Sequence, residues 1–307
     1  MKSQTMRCFA IVCSVVLCTT ACQQLPIVKA PSQNFNERVN HLVIHFTSEN
    51  FQESLNILTQ SETRPVSAHY LLPDPMDATY DLSELKIFAL VPPQFRAWHA
   101  GNSYWAGKTG LNDQSIGIEI VNESRCLDDI ATLANQPAFK DRCRFEAFAP
   151  EQIALLIALI KEILKDFPDI SPHAIIGHAD IAPSRKIDPG PLFPWRQLYG
   201  EGIGAWFDEN RVQTLIPWLE THPIPLETQQ RLLNHYGYDL DVTGTEDTQS
   251  QLAVRAFQMH FRPNNYSGFF DTETLARLIS LNERYRPEGL TLISDLPEAI
   301  ALHRALP

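Results

Sequence analysis

The first regular pattern of apolar and polar positions is a strand-like run from His41 to Phe46. Alternate residues of a strand share a face, so His41 and His45 are expected on the same side. Two later segments, 67–72 and 115–121, are also rich in apolar and β-branched residues. They are predicted to be further strands.

A helix is predicted to begin at Pro150. Apolar residues recur at helical spacing through EQIALLIALIKEILKDF, which directly follows this proline. Proline suits the first helical position, and Glu151 complements the positive end of the helix dipole. The next run, from Ala174 to His178, is again strand-like. Strands and helices therefore alternate, which predicts an α/β fold for the first domain.

The rest of the chain has a different pattern. Aromatic residues and prolines dominate from Trp195 to about Pro225, which predicts closing turns and a linker. Three helical patterns follow, separated by turns that contain glycine. They cover Leu226–Tyr236, Glu246–His260 and Asp271–Asn282. The sequence thus predicts a small second domain of three helices.

The amino terminus has the pattern of a secretory signal. A short basic region precedes an apolar run from Cys8 to Cys18, which is shorter than the about 20 residues that span a bilayer. The residues TTAC ending at Cys22 resemble a bacterial lipobox, so we expect lipidation of Cys22. Gln23 stands where an aspartate often retains lipoproteins in the inner membrane, which favours the outer membrane, facing the periplasm. A soluble periplasmic protein is the alternative.

Charge restricts the class of partner. The 307 residues carry a net charge of −11, and loss of Lys2 and Arg7 with the signal would make it −13. A chain this acidic is poorly suited to binding phosphate backbones, so no nucleic acid partner is expected. Nothing in the sequence predicts a protein partner.

Two of the six cysteines remain in the predicted folded part, Cys126 and Cys143. An even pair in an oxidising compartment predicts a disulfide between them. Two unpaired buried thiols are the alternative.

Candidate chemistry is concentrated in two motifs and one strand. The first motif is AWHAG, and the second is a loop rich in proline and glycine that contains His178 and Asp188. With His45 these side chains could hold a zinc ion, leaving one position open for water. The residues alone leave other choices open, because three further side chains are also eligible as ligands. They are His41, His69 and Asp180.

Three motifs resemble those of one enzyme family. AWHAG with the following YW, then LNDQSIGIEIVN, then IIGHADIAPSRKIDPGPLFPW are similar to the zinc-dependent N-acetylmuramoyl-L-alanine amidases of the amidase type 2 family. The resemblance covers about residues 38–198. It implies the fold of the peptidoglycan recognition proteins, with a mixed central β-sheet flanked by helices. It also implies peptidoglycan or muropeptides as the substrate.

The resemblance implies a role for each candidate. His45, His178 and Asp188 would be the ligands of one zinc ion. Glu119 would transfer protons, and Lys186 would stabilise the oxyanion.

Side chains expected along the cleft come from the same motifs. Ala68 stands where a distant phage-type branch has a catalytic tyrosine, which leaves that role to Glu119. The expected substrate contacts are Trp98, His99, Tyr104, Trp105, Asn112 and Arg185.

Two rival functions are weighed against the amidase. One is a lipid-anchored peptidoglycan-binding protein without catalysis, but non-catalytic relatives generally lack part of the ligand set. The other is a metal-independent hydrolase, which is disfavoured because no G-x-S-x-G motif occurs in the sequence.

The carboxy-terminal helices, with LLNHYGYDL and LAVRAFQMHF, resemble a peptidoglycan-binding domain. A passive cap on the amidase domain is the alternative. The predicted segments are a signal peptide (1–21), a tether (22–38), the zinc amidase domain (39–200), a linker (201–225), the peptidoglycan-binding-like domain (226–284) and a carboxy-terminal extension (285–307).

Overall fold

The computed structural model describes residues 28–60, 65–129, 132 and 139–287. The predicted signal peptide, Cys22 and residues 288–307 lie outside the described residues. Two compact units are present, Met1–Asn36 and Glu37–Pro307. In the first of them, residues 28–36 are exposed.

Within the described residues, the strands form one five-stranded sheet and two small two-stranded sheets. The strands are β1 (His41–Phe46), β2 (Tyr70–Leu72), β3 (Phe88–Ala89), β4 (Tyr104–Trp105), β5 (Lys108–Thr109), β6 (Ser115–Ile120), β7 (Arg125–Cys126), β8 (Cys143–Arg144) and β9 (Ile175–Gly177). The large sheet has the order β3-β2-β6-β1-β9. Its β2, β6, β1 and β9 are parallel neighbours, whereas β3 is antiparallel to β2. The predicted mixed sheet is therefore confirmed.

Helices surround the sheet and form the carboxy-terminal part. They are α1 (Phe51–Gln60), α2 (Phe139–Arg142), α3 (Pro150–Asp166), α4 (His178–Ile181), α5 (Trp195–Gly200), α6 (Glu209–Thr221), α7 (Leu226–Tyr236), α8 (Thr248–Phe261) and α9 (Thr272–Tyr285). No helix among the described residues is both long and apolar enough to cross a membrane.

The long helix α3 packs into the core. Its buried apolar side chains recur every three or four residues and include Ile153, Leu156 and Ile160. Gln152 is also buried, and its Nε2 donates to the carbonyls of Pro73 and Val121 at 3.0 and 2.9 Å. These bonds tie α3 to the residues that follow β2 and β6.

The predicted linker contains a helix that sequence analysis missed. In α6 the Asp208 side chain caps the amino terminus by accepting from the Arg211 amide. Val212, Leu215 and Leu219 are buried, at the spacing of one helix face. The aromatic residues nearby and Pro217 inside the helix obscured this pattern. The carboxy-terminal part therefore has α6 in addition to the three predicted helices.

The carboxy-terminal helices share one apolar core with the sheet. Trp105 of β4 is buried, and its ring lies 5.9 Å from Tyr236 and 5.1 Å from Tyr238, centroid to centroid. Between these tyrosines, a Cβ added to Gly237 would lie 2.9 Å from the Trp105 ring. The contact is therefore close enough to require glycine.

A disulfide joins Cys126 and Cys143, which are paired across β7 and β8. The bond closes a segment with a sequence separation of 17. On the chain-entropy model, a loop of this size contributes about 3 kcal/mol to the free energy of unfolding.

Replacing both cysteines by serine is expected to lower the free energy of unfolding by about 3 kcal/mol. Denaturant titration of the variant and the parent chain measures the difference. Reductant should shift the parent's midpoint in the same direction and leave that of the variant unchanged. Equal midpoints for the oxidised parent and the variant would contradict a stabilising disulfide.

Candidate active site

Two imidazoles and one carboxylate meet at the carboxyl edge of the sheet. His45 lies near the end of β1, and His178 directly follows β9, the parallel neighbour of β1. The Nδ1 atoms of the two rings are 2.9 Å apart. Oδ2 of Asp188 lies 3.0 Å from Nδ1 of His45 and 3.1 Å from Nδ1 of His178. All three side chains are buried.

The loop that carries Asp188 folds back onto the start of α4. The Ala179 amide donates to the Asp188 carbonyl at 2.8 Å. The bond holds Asp188 beside His178, ten residues earlier in the chain. A loop with no regular spacing therefore supplies the carboxylate of the cluster.

The ring of His178 has a defined tautomer. Its Nε2 lies 3.2 Å from the carbonyl oxygen of Ala100. A carbonyl only accepts, so Nε2 carries the hydrogen, and in the neutral ring Nδ1 presents a lone pair to the cluster.

A chain of hydrogen bonds fixes the tautomer of His45 in the same way. The Ser115 hydroxyl donates to the Leu111 carbonyl at 2.6 Å. It must then accept from Nε2 of His99, 3.2 Å away. Nδ1 of His99 is left as an acceptor for Nε2 of His45 at 3.0 Å, and Nδ1 of His45 presents its lone pair to the cluster.

Burial keeps the rings of His45 and His99 neutral. The pKa of His45 is lowered to about 4, mainly by burial and also by the positive charge of a protonated His178. The pKa of His99 is also lowered well below its ordinary value, again mainly by burial. Both rings therefore have one donor and one acceptor nitrogen at neutral pH, as the hydrogen-bond chain requires.

The ring of His99 needs space beside β6. A Cβ added to Gly117 would lie 2.3 Å from Cγ of His99. Glycine at this position allows the ring to reach between Ser115 and His45. On β6, the polar or small residues Ser115, Gly117 and Glu119 alternate with isoleucines.

Three lone pairs thus point at one another across about 3 Å. Two imidazole nitrogens and a carboxylate oxygen are a donor set that binds divalent cations such as zinc, and all three ligand atoms lie within 4.8 Å of one another. The second nitrogen of each imidazole makes a hydrogen bond to another protein group, as is usual for metal-binding histidines. The residues fit a metal ion.

Glu119 lies beside this cluster. It is the register partner of His45 across β6 and β1. Burial raises its pKa well above the ordinary value, the charge of Asp188 adds to the rise, and Lys186 partly offsets it. Its buried Oε2 has no hydrogen-bond partner among the described residues. The side chain is therefore suited to exchanging a proton.

A cavity of about 470 Å³ opens onto the cluster. It is lined by Glu119, His178, Asp188 and Lys186, together with Trp98, which is 47% exposed. An adjoining hollow of about 430 Å³ shares Trp98, His178 and Lys186 with it. Trp98 remains a candidate for substrate contact.

Other predicted contact residues support the AWHAG segment. Oδ1 of Asn112 accepts from the amides of His99 and Ala100 at 3.0 and 2.8 Å. Nη2 of Arg185 donates to the carbonyls of Ala100 and Asn102 at 3.2 and 2.5 Å. Both also line the adjoining hollow, so contact with substrate stays a prediction for them.

Two predicted positions differ in the structure. Trp105 was expected along the cleft, but its ring is buried against the carboxy-terminal helices and its Nε1 donates to the His173 carbonyl. Tyr104 lines a separate hollow of about 250 Å³. Neither side chain of the short β4–β5 ribbon lines the cavity or the adjoining hollow beside the metal cluster, which sequence spacing did not indicate.

The competing ligand candidates have other partners. Nδ1 of His41 lies 2.5 Å from the Asn40 side chain. Nδ1 of His69 accepts from the Gly117 amide at 2.9 Å. Asp180 accepts hydrogen bonds from three other groups, two of them in the carboxy-terminal part. None of the three belongs to the cluster that the described residues form.

Comparison with known proteins identifies the family. A family model described as N-acetylmuramoyl-L-alanine amidase matches residues 35–191, and one described as putative peptidoglycan binding domain matches residues 226–278. The N-acetylmuramoyl-L-alanine amidase AmiD of Escherichia coli (strain K12) is 43% identical over 249 residues, 81% of this chain and 84% of that protein.

Solved structures give the same result. AMPDH3 from Pseudomonas aeruginosa, in complex with anhydromuramic pentapeptide, matches with a TM-score of 0.77 at 40% identity, covering 85% of this chain and 99% of that one. E. coli AmiD in complex with anhydro-N-acetylmuramic acid-L-Ala-D-gamma-Glu-L-Lys matches with a TM-score of 0.69 at 39% identity, covering 84% and 93%. Fold and site thus define an amide hydrolase. The chain belongs to the N-acetylmuramoyl-L-alanine amidase family.

Proposed function

We propose that this protein is a zinc-dependent amidase that separates the lactyl group of N-acetylmuramic acid from L-alanine in peptidoglycan fragments. The observation that carries the proposal is the convergence of three lone pairs from His45, His178 and Asp188. The ligands of the two related structures, both anhydromuramyl peptides, support this substrate class.

His45, His178 and Asp188 would hold the zinc ion. A bound zinc ion polarises a carbonyl and lowers the pKa of water, which makes amide hydrolysis possible at neutral pH. The protein's own residues then supply the substrate's orientation, the proton transfer and a fixed positive charge.

Glu119 is the residue that moves protons. Attack by water forms a carbon–oxygen bond at the lactyl carbonyl, and Glu119 takes one proton from that water. It delivers the proton to the alanine nitrogen as the carbon–nitrogen bond breaks. The products are a muramic carboxylic acid, which releases its remaining proton to water or to the new amine at neutral pH, and a peptide with a free amino terminus.

Lys186 would stabilise the negative charge that develops on the carbonyl oxygen. It lines the same cavity as Glu119, and its positive charge is close enough to influence the pKa of both Glu119 and His45. A fixed cation at a developing oxyanion is a common source of large rate effects.

The cellular setting is proposed from the sequence. Lipidation of Cys22 would anchor the enzyme to the outer membrane, facing the periplasm, with residues 22–38 as a tether. The family match over residues 226–278 supports a peptidoglycan-binding role for the helical domain.

Incubation of the purified protein with anhydromuramyl tripeptide tests the proposal. Mass spectrometry should detect anhydro-N-acetylmuramic acid and a free peptide that begins with L-alanine. A strong chelator should stop the reaction, and added zinc should restore it. Intact substrate in the presence of zinc would favour the rival, a binding protein without catalysis.

The hydrogen-bond chain behind His45 leads to a separate prediction. His99→Leu removes the acceptor that fixes the tautomer of His45, and loss of such a partner weakens metal affinity by about 10- to 100-fold. Competition with a chromophoric chelator measures the affinity. His99→Asn keeps an acceptor near the position of Nδ1 and should lose less. If His99→Leu binds zinc with the affinity of the parent, the hydrogen bonds behind His45 do not contribute to metal binding.

A further inference from the structure

A buried carboxylate two residues after His178 belongs to neither the metal cluster nor the cavity. Asp180 lies in α4 and is 2% exposed. Its Oδ2 accepts from the Gly177 amide and from Nδ1 of His260, each at 2.8 Å, and its Oδ1 accepts from the Tyr238 hydroxyl at 2.5 Å.

Two of these three donors come from the carboxy-terminal helical part. Tyr238 follows α7 and His260 lies in α8, and both side chains are buried. They are 58 and 80 residues away from Asp180 in the sequence. The helical part therefore makes direct polar contact with the helix that begins at His178.

His260 also contacts the far end of the loop that carries Asp188. Its ring stacks on Trp195, with centroids 3.9 Å apart and planes 15° from parallel. Asp180 and Trp195 flank this loop on either side, and Lys186 and Asp188 lie between them. One side chain from α8 thus holds both ends of the segment.

Backbone hydrogen bonds connect α4, the helix that contains Asp180, and the residue after it to the loop that carries Lys186 and Asp188. The Ala182 amide donates to the His178 carbonyl, and the Ala179 amide to the Asp188 carbonyl, at 3.0 and 2.8 Å. The Lys186 amide donates to the Ala182 carbonyl at 3.0 Å. A shift of α4 would therefore displace two of the three ligands and the lysine together.

We propose that the carboxy-terminal helical domain is a structural part of the active site. Tyr238 and His260 act as positioning residues, holding His178 and Asp188 in ligand geometry through Asp180 and Trp195. This role rests on the proposed function, since it concerns the affinity of the metal site. It is independent of any affinity of the domain for the cell wall.

Four variants of the full chain test the proposal. Tyr238→Phe and His260→Leu each remove a donor to Asp180, whereas His260→Asn keeps a donor near the position of Nδ1. Ser280→Ala is the matched control, because its hydroxyl accepts from the Asp208 amide at 3.0 Å within the helical part and does not contact Asp180. Zinc affinity from chelator competition and the denaturation midpoint are measured for each.

We expect zinc affinity up to about 10-fold weaker in Tyr238→Phe and His260→Leu. This is the lower end of the about 10- to 100-fold loss caused by removing groups that bond metal ligands directly, because these donors act through Asp180 and α4. His260→Asn should recover part of the loss, and Ser280→Ala should bind zinc like the parent even if its midpoint falls. Parental affinity in both donor-removing variants, or equal weakening in Ser280→Ala, would overturn the proposal. If Tyr238→Phe does not fold, the comparison of zinc affinity between His260→Leu and His260→Asn tests the proposal. A parent chain that binds no zinc would instead refute the proposed function.

Discussion

Asp188→Ala is expected to lose bound zinc and to hydrolyse anhydromuramyl peptides at least about a thousandfold more slowly than the parent. A metal ion contributes several kcal/mol to transition-state stabilisation, and each 1.4 kcal/mol is about a factor of ten in rate. The fold should persist, because the bond that holds this loop is made by the Asp188 carbonyl rather than by its side chain.

Metal content by elemental analysis and the rate of peptide release are the two measurements for Asp188→Ala. Asp169→Ala is the matched control, since Asp169 is an exposed carboxylate in the turn after α3. It should keep both the metal and the activity. An Asp188→Ala enzyme that retains one zinc ion and the parental rate would exclude Asp188 as a ligand.

Glu119→Gln is expected to keep its zinc and to lose activity by about 100- to 10,000-fold, the usual contribution of a general acid–base residue. Glutamine has nearly the same shape but cannot exchange the proton. Because burial already raises the pKa of Glu119, the neutral amide should be tolerated at this position without loss of stability.

The Glu119→Gln result depends on measuring three quantities together: bound zinc, peptide release and the midpoint of thermal unfolding. If the activity falls while the zinc content and the midpoint of thermal unfolding stay those of the parent, Glu119 transfers the proton. Full activity would assign proton transfer to another group. Loss of zinc would show that Glu119 supports the metal site rather than the proton transfer.

Local patterns predicted the elements that are regular along the chain. The bounds of β1 and α7 agree with the prediction, since strand alternation and glycine turns are local signals. The missed α6 differs because Pro217 and several aromatic residues interrupt its pattern. The position of α6 depends on α9, against which it packs and where Arg211 of α6 pairs with Glu283.

The ligand set could not be chosen from spacing alone. His41 and His45 share a face of β1, but four residues of a strand separate them by about 13 Å. The pairing of β1 with β6 and β9 brings His45, and not His41, to the carboxyl edge of the sheet. Only the family resemblance carried that information at the level of sequence.

The AWHAG motif identified important residues but not all of their contacts. His99 is predicted to contact substrate and lines both the cavity and the adjoining hollow. The structure also places it between Ser115 and His45 in a hydrogen-bond chain that the sequence did not indicate. Partners far apart in the chain decide such roles. The same holds for Asp180, whose partners Tyr238 and His260 lie in the other predicted domain.

Titration of the metal-free protein with zinc, while released peptide is recorded, is the most direct test. Activity should start near zero, rise in proportion to added zinc and stop rising at one equivalent per chain. Metal-free protein that already cleaves the muramyl amide at the full rate would contradict the account, as would saturation of the cluster without any gain in activity.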